Sequence, residues 1–489
     1  MNTKKTLVLA YPNQKWAKDD FQTNWNLNPS LLCLLGAMVQ DEVNVEIIDA
    51  QFYDMSLEEF VDKVEHAKPD YIGISILSTE YKDTLHSAVA GLRERLPDPI
   101  IIAGGVHVTI EYQDVMSDPG IDYAVIGNGE YVLRNLLRHL NGRDDFPMVG
   151  LVYRDGEKLV AQAKAVIEDL DALPMPNYDL VHMEDYIVEG PRIGPLRPPE
   201  MPYVRLVITR GCPVGCSFCQ VEEISGKKVR APSAKKVVDE LIYLRDRYKL
   251  KSFLIDDDNI VIKKKFFKEV LRQIIDRELN LTFIIGAFAI FALDDEMLDL
   301  MVRAGCIGIN VAIESGSQRV MNDIVLKPIK LETVPPLIQK VRDAGMFVIS
   351  NFIVGFPGET WQEIRDTVRF AEHCGADYVK FFVAVPLKGT LLWDMATDIG
   401  AISDETGGAR VDWRFSQITS DEWTAEDISI LRAYEWDRIN FETPEKRKHM
   451  SDLWGVSEEE MHKLRKTTRD MVTTSGFGAE QASNPPEAS

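Results

Sequence analysis

Three of the six cysteines in this 489-residue chain fall within "TRGCPVGCSFCQVEE", at Cys212, Cys216 and Cys219. Thiols this close in sequence either pair with one another or bind a soft metal. A structural disulfide framework needs an oxidising compartment and usually a small chain, and neither fits here. Structural zinc takes four ligands arranged as two pairs, and the chain has no second pair and no His-x-x-x-His. A cubane iron–sulfur cluster has four irons, so three cysteines would leave one iron open to bind another molecule. Zinc or chance is the alternative. Cys33, Cys306 and Cys374 are scattered among apolar residues and are expected to be small buried hydrophobes.

The cysteine loop must be positioned by what precedes it, and "YVRLVIT" directly before it reads as a strand. It opens a series continued by "SFLIDDD", "LTFIIGAF", "IGINVAIE", "FVISNFIVGF" and "YVKFFVAV". Helical stretches alternate with these runs, among them "SAKKVVDELIYLRDRY", for which Ser233 is the expected N-cap. Six such units over residues 201–400 predict a partial relative of the eight-unit barrel, with its active site at the carboxyl ends of the strands. Residues 1–142 carry five earlier runs, "TLVLAY", "VNVEIID", "YIGISIL", "PIIIAGG" and "YAVIG", each followed by helical periodicity. These predict an α/β, flavodoxin-like domain with a ligand at its own carboxyl-terminal strand ends. Residues 143–200 lose periodicity and gather prolines, as a linker does, with a small hairpin expected at "GLVYRDGEKLVA" around Asp155-Gly156. Residues 401–475, with Trp413, Trp423, Trp436 and Trp454, read as helical, and 476–489 as a disordered tail.

Bulk properties narrow the function. Apolar residues make up 45% and charged residues 27%, ordinary for a globular chain, and no run of about eighteen uncharged apolar residues could span a bilayer. The amino terminus, "MNTKKTLVLAYPNQKW", lacks a cleavage site and reads as a first strand, so a cytoplasmic location without membrane association is expected. A net charge of −22 would repel phosphate backbones and argues against nucleic acid as a partner.

With Phe218 before its last cysteine, the C-x3-C-x2-C triad resembles the signature of the radical S-adenosylmethionine (SAM) enzymes. The resemblance implies that Cys212, Cys216 and Cys219 hold a [4Fe-4S] cluster, that SAM chelates the fourth iron and that Phe218 packs near the adenine. Reductive cleavage would then yield methionine and a hydrogen-abstracting 5′-deoxyadenosyl radical. It further implies that an acid of "FLIDDDN", taken as Asp257, contacts the methionine amine. Glu314 and Ser315 of "NVAIESGS" would hold the ribose or methionine part, and Gly355 of "FIVGFPGET" would let the backbone approach the adenosine. A solvated acidic loop, a buried ion pair and a plain turn are the respective alternatives.

Ser75 and Leu77 of "GISIL", Gly104, Gly105 and Val106 of "AGGVHVT", and Gly127 and Glu130 of "VIGNGE" resemble elements of cobalamin-binding domains. The Asp-x-His-x-x-Gly loop of such domains is replaced by "AYPNQKWAKDD", which has no His. The bound cobalamin is therefore expected to lack a protein His ligand on its lower face, with His107 a pocket-wall residue. The resemblance covers about residues 5 to 395 and identifies the chain as similar to class B radical SAM methyltransferases. It implies methyl transfer to an unactivated carbon or phosphorus of a small-molecule or peptide substrate, with an electron donor such as flavodoxin or ferredoxin and a monomeric enzyme. A cyclisation, ring-contraction or oxidation enzyme of the same architecture, and a non-catalytic cobalamin-binding sensor, are the alternatives. No side chain is assigned as catalytic.

Overall fold

The computed structural model describes residues 4–16, 27–143, 146–189, 200–402 and 411–474. It divides into two compact units. Among the described residues the first comprises everything up to Phe253 apart from Cys212–Gln220, which belongs to the second.

The first unit is built on a seven-stranded sheet: β1 (Thr6–Tyr11), β2 (Asn44–Asp49), β3 (Tyr71–Ile76), β4 (Ile100–Gly105), β5 (Tyr123–Val125), β6 (Leu151–Asp155) and β7 (Lys158–Ala161). Their order is β2-β1-β3-β4-β5-β6-β7, and β1 to β5 pair in parallel. This is the flavodoxin-like order expected from the five apolar runs. Those runs are continuous rather than alternating because both faces of the sheet are covered: Val8 and Ala10 enter one core cluster and Leu7 and Leu9 the other. The hairpin forms as read, turning at Gly156 with φ +61°, and it extends the same sheet by pairing antiparallel to β5.

The second sheet has six strands: β8 (Tyr203–Leu206), β9 (Ser252–Ile255), β10 (Thr282–Phe288), β11 (Cys306–Glu314), β12 (Phe347–Val354) and β13 (Tyr378–Val383). They lie in sequence order, β13-β12-β11-β10-β9-β8, as an open barrel of successive βα units requires, and β10 to β13 pair in parallel. Ser233 caps the helix Ala234–Tyr248 by accepting from the Lys236 amide at 3.3 Å. Helices Ala425–Phe441, Pro444–Trp454 and Glu458–Thr474 follow the barrel. The first of them lies along the free edge of β13. There Asn440 accepts from Val379 N at 3.0 Å and donates to Val379 O at 2.8 Å, so one amide side chain pairs the edge as a seventh strand would. Among the described residues no helix is long and apolar enough to cross a membrane.

Candidate active site and cofactor cradle

The cysteine loop begins at Gly211, with φ +94°, where a Cβ would stand 2.5 Å from Lys228 O, so only glycine allows this turn. Beyond it the loop is fastened within the second unit by three bonds. Ser217 N donates to Val325 O at 3.0 Å, Leu392 N to Ser217 O at 2.8 Å, and Gln220 Nε2 to Lys388 O at 2.9 Å. Asn259, just past the acidic run after β9, donates Nδ2 to Cys212 Sγ at 3.9 Å. Among the described residues no three His, Cys, Asp or Glu side chains converge as ligands of a single ion would. A cubane asks for something else, because its thiolates bind separate irons. All three thiols are partly exposed on a loop tied down through its backbone, which suits that donor set.

Beside the loop stands a buried ion pair. Glu314, 5% exposed, ends β11 at φ +81°, a conformation costly for a residue with a side chain, where the register to β12 also shifts. Its Oε1 accepts from Lys327 Nζ at 2.8 Å, and Lys327 is 8% exposed. Lys327 is returned to the strand end by a π-helical turn, Val320–Val325, followed by Leu326 at φ +59°. Burial works against the Lys327 ammonium, but Glu314 and the sulfurs of Cys216 and Cys219 outweigh it and hold its pKa up. Burial likewise pushes the Cys216 thiol up to about 12, against the pull of Lys327.

The other barrel residues singled out from the sequence sit as follows. Asp257 is buried after β9 and engaged. The Phe218 ring centroid lies 6.3 Å from that of Phe356. Ser315 is fully buried, with Oγ 3.1 Å from Thr367 Oγ1 and accepting from Ser317 N, so its hydroxyl already shapes the turn after β11. Gly355 has φ +81°, and a Cβ there would come within 2.8 Å of Ile428 Cγ2, so packing of the helix Ala425–Phe441 also requires glycine. Asn259 and Lys327 were not anticipated. Asn259 could have been noticed at a strand end; Lys327 had no local signal.

In the first unit, a cavity at the carboxyl ends of β1 to β3 is lined by Tyr11, Gln14, Asp49, Ser75, Leu77 and Tyr81, among others. Ser75 faces Gly104 and Ile76 faces Gly105 in the β3–β4 register. Gly105 has φ +104°, and a Cβ there would fall 2.3 Å from Ile76 O, whereas one at Gly104 would meet only Val125 Cβ at 4.0 Å. Val106 then opens the short helix Val106–Ile110. Gly127, at φ +83°, lies against Ala165, whose O would be 2.3 Å from a Cβ. Glu130 is buried and ion-paired with Arg210. His107 is fully buried, its Nδ1 3.6 Å from Glu111 Oε1. Among the described residues no His lines the cavity and the buried Oε1 of Gln14 has no hydrogen-bond partner, and the sequence of residues 12–29 contains no His. Asp49 accepts from Phe52 N at 2.9 Å and Tyr186 Oη at 3.2 Å, yet burial raises its carboxyl pKa to about 7. A hollow at the strand ends that mixes apolar walls with the amide of Gln14 and the hydroxyl of Ser75 suits a ligand carrying amide groups.

Residues 27–137 match the B12 binding domain and residues 206–371 the radical SAM superfamily. An uncharacterized methyltransferase of Pyrococcus horikoshii is 28% identical over 81% of this chain and 84% of its own. The cytidylyl-2-hydroxyethylphosphonate methyltransferase of Streptomyces wedmorensis is 28% identical over 82% and 81%. An anaerobic magnesium-protoporphyrin IX monomethyl ester cyclase of Rubrivivax gelatinosus is 29% identical over 78% and 68%. The same fold is seen in TsrM, a radical SAM methyltransferase of Kitasatospora setae, with TM-score 0.68, 19% identity and coverage of 82% and 77%. OxsB, a cobalamin-dependent radical SAM enzyme, superposes with TM-score 0.70, 14% identity and coverage of 96% and 72%. With a B12 binding segment and a radical SAM segment that contains the thiol triad on one chain, this protein is similar to the cobalamin-dependent radical SAM enzymes.

Proposed function

We propose that the enzyme transfers a methyl group to an unactivated carbon or phosphorus of a small-molecule or peptide substrate. The observation that carries this reading is the pairing, in a single chain, of the cavity at the carboxyl ends of β1 to β3 with a three-thiol loop bonded to the segment that bears Lys327. When bound, cluster and SAM supply a hydrogen-abstracting radical, and cobalamin carries the methyl group.

The chain's own residues hold and orient these groups. Cys212, Cys216 and Cys219 would hold a [4Fe-4S] cluster. Lys327 balances the charge of the sulfurs beside it and holds the Glu314 carboxylate at the strand end. Glu314, with Asp257, addresses the polar parts of SAM, Ser315 holds the turn that carries Glu314, and Phe218 and Gly355 flank the adenosine. Ser75, Leu77, Gly104, Gly105, Val106, Gly127 and Glu130 would shape the site for cobalamin, and residues 12–29 offer it no imidazole. Functionally, residues 1–142 form the cobalamin domain, 143–200 a linker whose hairpin Leu151–Ala161 joins that domain's sheet, 201–400 the barrel and 401–475 a helical region beside the substrate. A flavodoxin or ferredoxin supplies electrons to a monomeric, cytoplasmic enzyme.

A second reading, ring formation without methyl transfer, is favoured by the Rubrivivax gelatinosus cyclase relative. Reductive turnover of the reconstituted holoenzyme with methyl-deuterated SAM separates the two. Methyl transfer yields both S-adenosylhomocysteine and 5′-deoxyadenosine, and a deuterated methyl in product. Formation of 5′-deoxyadenosine without S-adenosylhomocysteine would refute it in favour of the second reading.

A further inference from the structure

The interior of the barrel carries polar side chains that none of these roles uses. Phe352 packs on Phe370 of the helix Trp361–His373, ring centroids 6.2 Å apart, and on Phe381 at 5.8 Å, so these positions of β12 and β13 face outward toward the helix. Strand side chains alternate, so Asn351 and Lys380 face inward. The register sets Asn351 beside Lys380 on one side and Ala312 on the other, with Asn310 two residues earlier on the same inner face of β11. Among the described residues the buried Oδ1 atoms of Asn310 and Asn351 have no hydrogen-bond partners.

Among the described residues Lys380 has no carboxylate and no hydrogen-bond acceptor; its Nζ lies 5.9 Å from the centroid of the Tyr378 ring. It keeps some contact with solvent, but loss of hydration alone lowers its pKa to about 8. Across Tyr378, whose hydroxyl accepts from Trp436 Nε1 at 3.0 Å, the helix Ala425–Phe441 presents Arg432, with a buried Nε that also has no partner. The acid nearest in influence, Asp412, already holds Arg414 through bonds of 2.9 and 2.8 Å. An excess of half-buried positive charge inside a chain of net charge −22 is costly unless an anion completes it.

We propose that this inner face is a subsite for an oxyanion, a carboxylate or phosphate-type group, carried by the substrate. Lys380 is its principal contact, the amides of Asn351 and Asn310 bond the neighbouring polar atoms, and Arg432 adds positive potential. The inference rests on the radical-enzyme reading of the barrel and names the substrate class that barrel selects.

The test uses the full chain with cluster and cobalamin in place. Lys380 acylation by acetic anhydride is followed by peptide mass spectrometry in chloride, in inorganic phosphate and in acetate at matched ionic strength, and separately with SAM. Phosphate or acetate should slow labelling of Lys380 several-fold relative to chloride, and the stronger of the two identifies the group. Lys380→Met should abolish the stabilisation against heat that the same anion gives, and Lys380→Arg should retain it. Equal labelling in all three salts, protection by SAM alone, or an anion effect that survives Lys380→Met would overturn the proposal. Substrate-free conversion of SAM to 5′-deoxyadenosine should persist in Lys380→Met. Loss of that conversion in the unaltered enzyme would instead strike at the proposed function.

Discussion

Replacing Lys327 with Met removes one half of a buried ion pair while keeping roughly the same volume. Glu314 and Lys327 are 5% and 8% exposed and 2.8 Å apart, so the lone carboxylate would stay out of water. An orphaned buried charge of this kind costs about 3–5 kcal/mol, whereas removing both charges together is close to neutral. Lys327→Met alone should therefore destabilise the second unit by about 3–5 kcal/mol, and Lys327→Met combined with Glu314→Gln by only about 1 kcal/mol. Six of the eight tryptophans, from Trp361 to Trp454, lie in that unit, so guanidinium unfolding followed by tryptophan fluorescence reports on it. The single variant should also bind less iron on anaerobic reconstitution, because the cation beside Cys216 and Cys219 is gone. A cost below about 1 kcal/mol for Lys327→Met, or a double variant as unstable as the sum of the singles, would show that the pair does not act as a unit.

Three further outcomes are expected. Gly105→Leu should abolish cobalamin binding measured by absorbance while iron content stays unchanged, because its Cβ would stand 2.3 Å from Ile76 O; Gly104→Ala, with its nearest atom at 4.0 Å, should still fold. Asp49 has a folded pKa of about 7, above its unfolded value, so its contribution is fully present below about pH 4 and lost as pH rises through 7, by about 4 kcal/mol at most. Asp49→Asn should accordingly melt at a higher temperature than the parent at about pH 8 and nearly together with it at about pH 4, and equal pH slopes would contradict the assigned burial. Cys212→Ala, Cys216→Ala or Cys219→Ala should each end reductive SAM cleavage, whereas Ala at the buried Cys33, Cys306 or Cys374 should leave iron content intact; stoichiometric zinc without iron would dispose of the cluster.

Much of the molecule was legible in the sequence because its signals are local. Eleven short apolar runs became strands since each is bounded by turn residues and buries its apolar side chains, and the Asp155-Gly156 pair turned where its chemistry requires. The cysteine spacing reads as an iron–sulfur ligand set because all three thiols lie on one loop, and the radical SAM family match, residues 206–371, includes it. The partners of these residues depended on distance in space. Lys327 reaches Glu314 only because a π-helical turn and a left-handed residue send the chain back, which no periodicity announces. Gly355 looked like a concession to a ligand, yet Ile428, far along the chain, packs against it as well. Asn351 and Lys380 become neighbours through strand register, and Asn440 meets the open edge of β13 through the path of a later helix. Spacing within a segment can specify which atoms one loop offers to a metal, but which charge ends beside which other charge is decided when strands align and helices settle, because burial and Coulomb energy depend on separation in space and not along the chain.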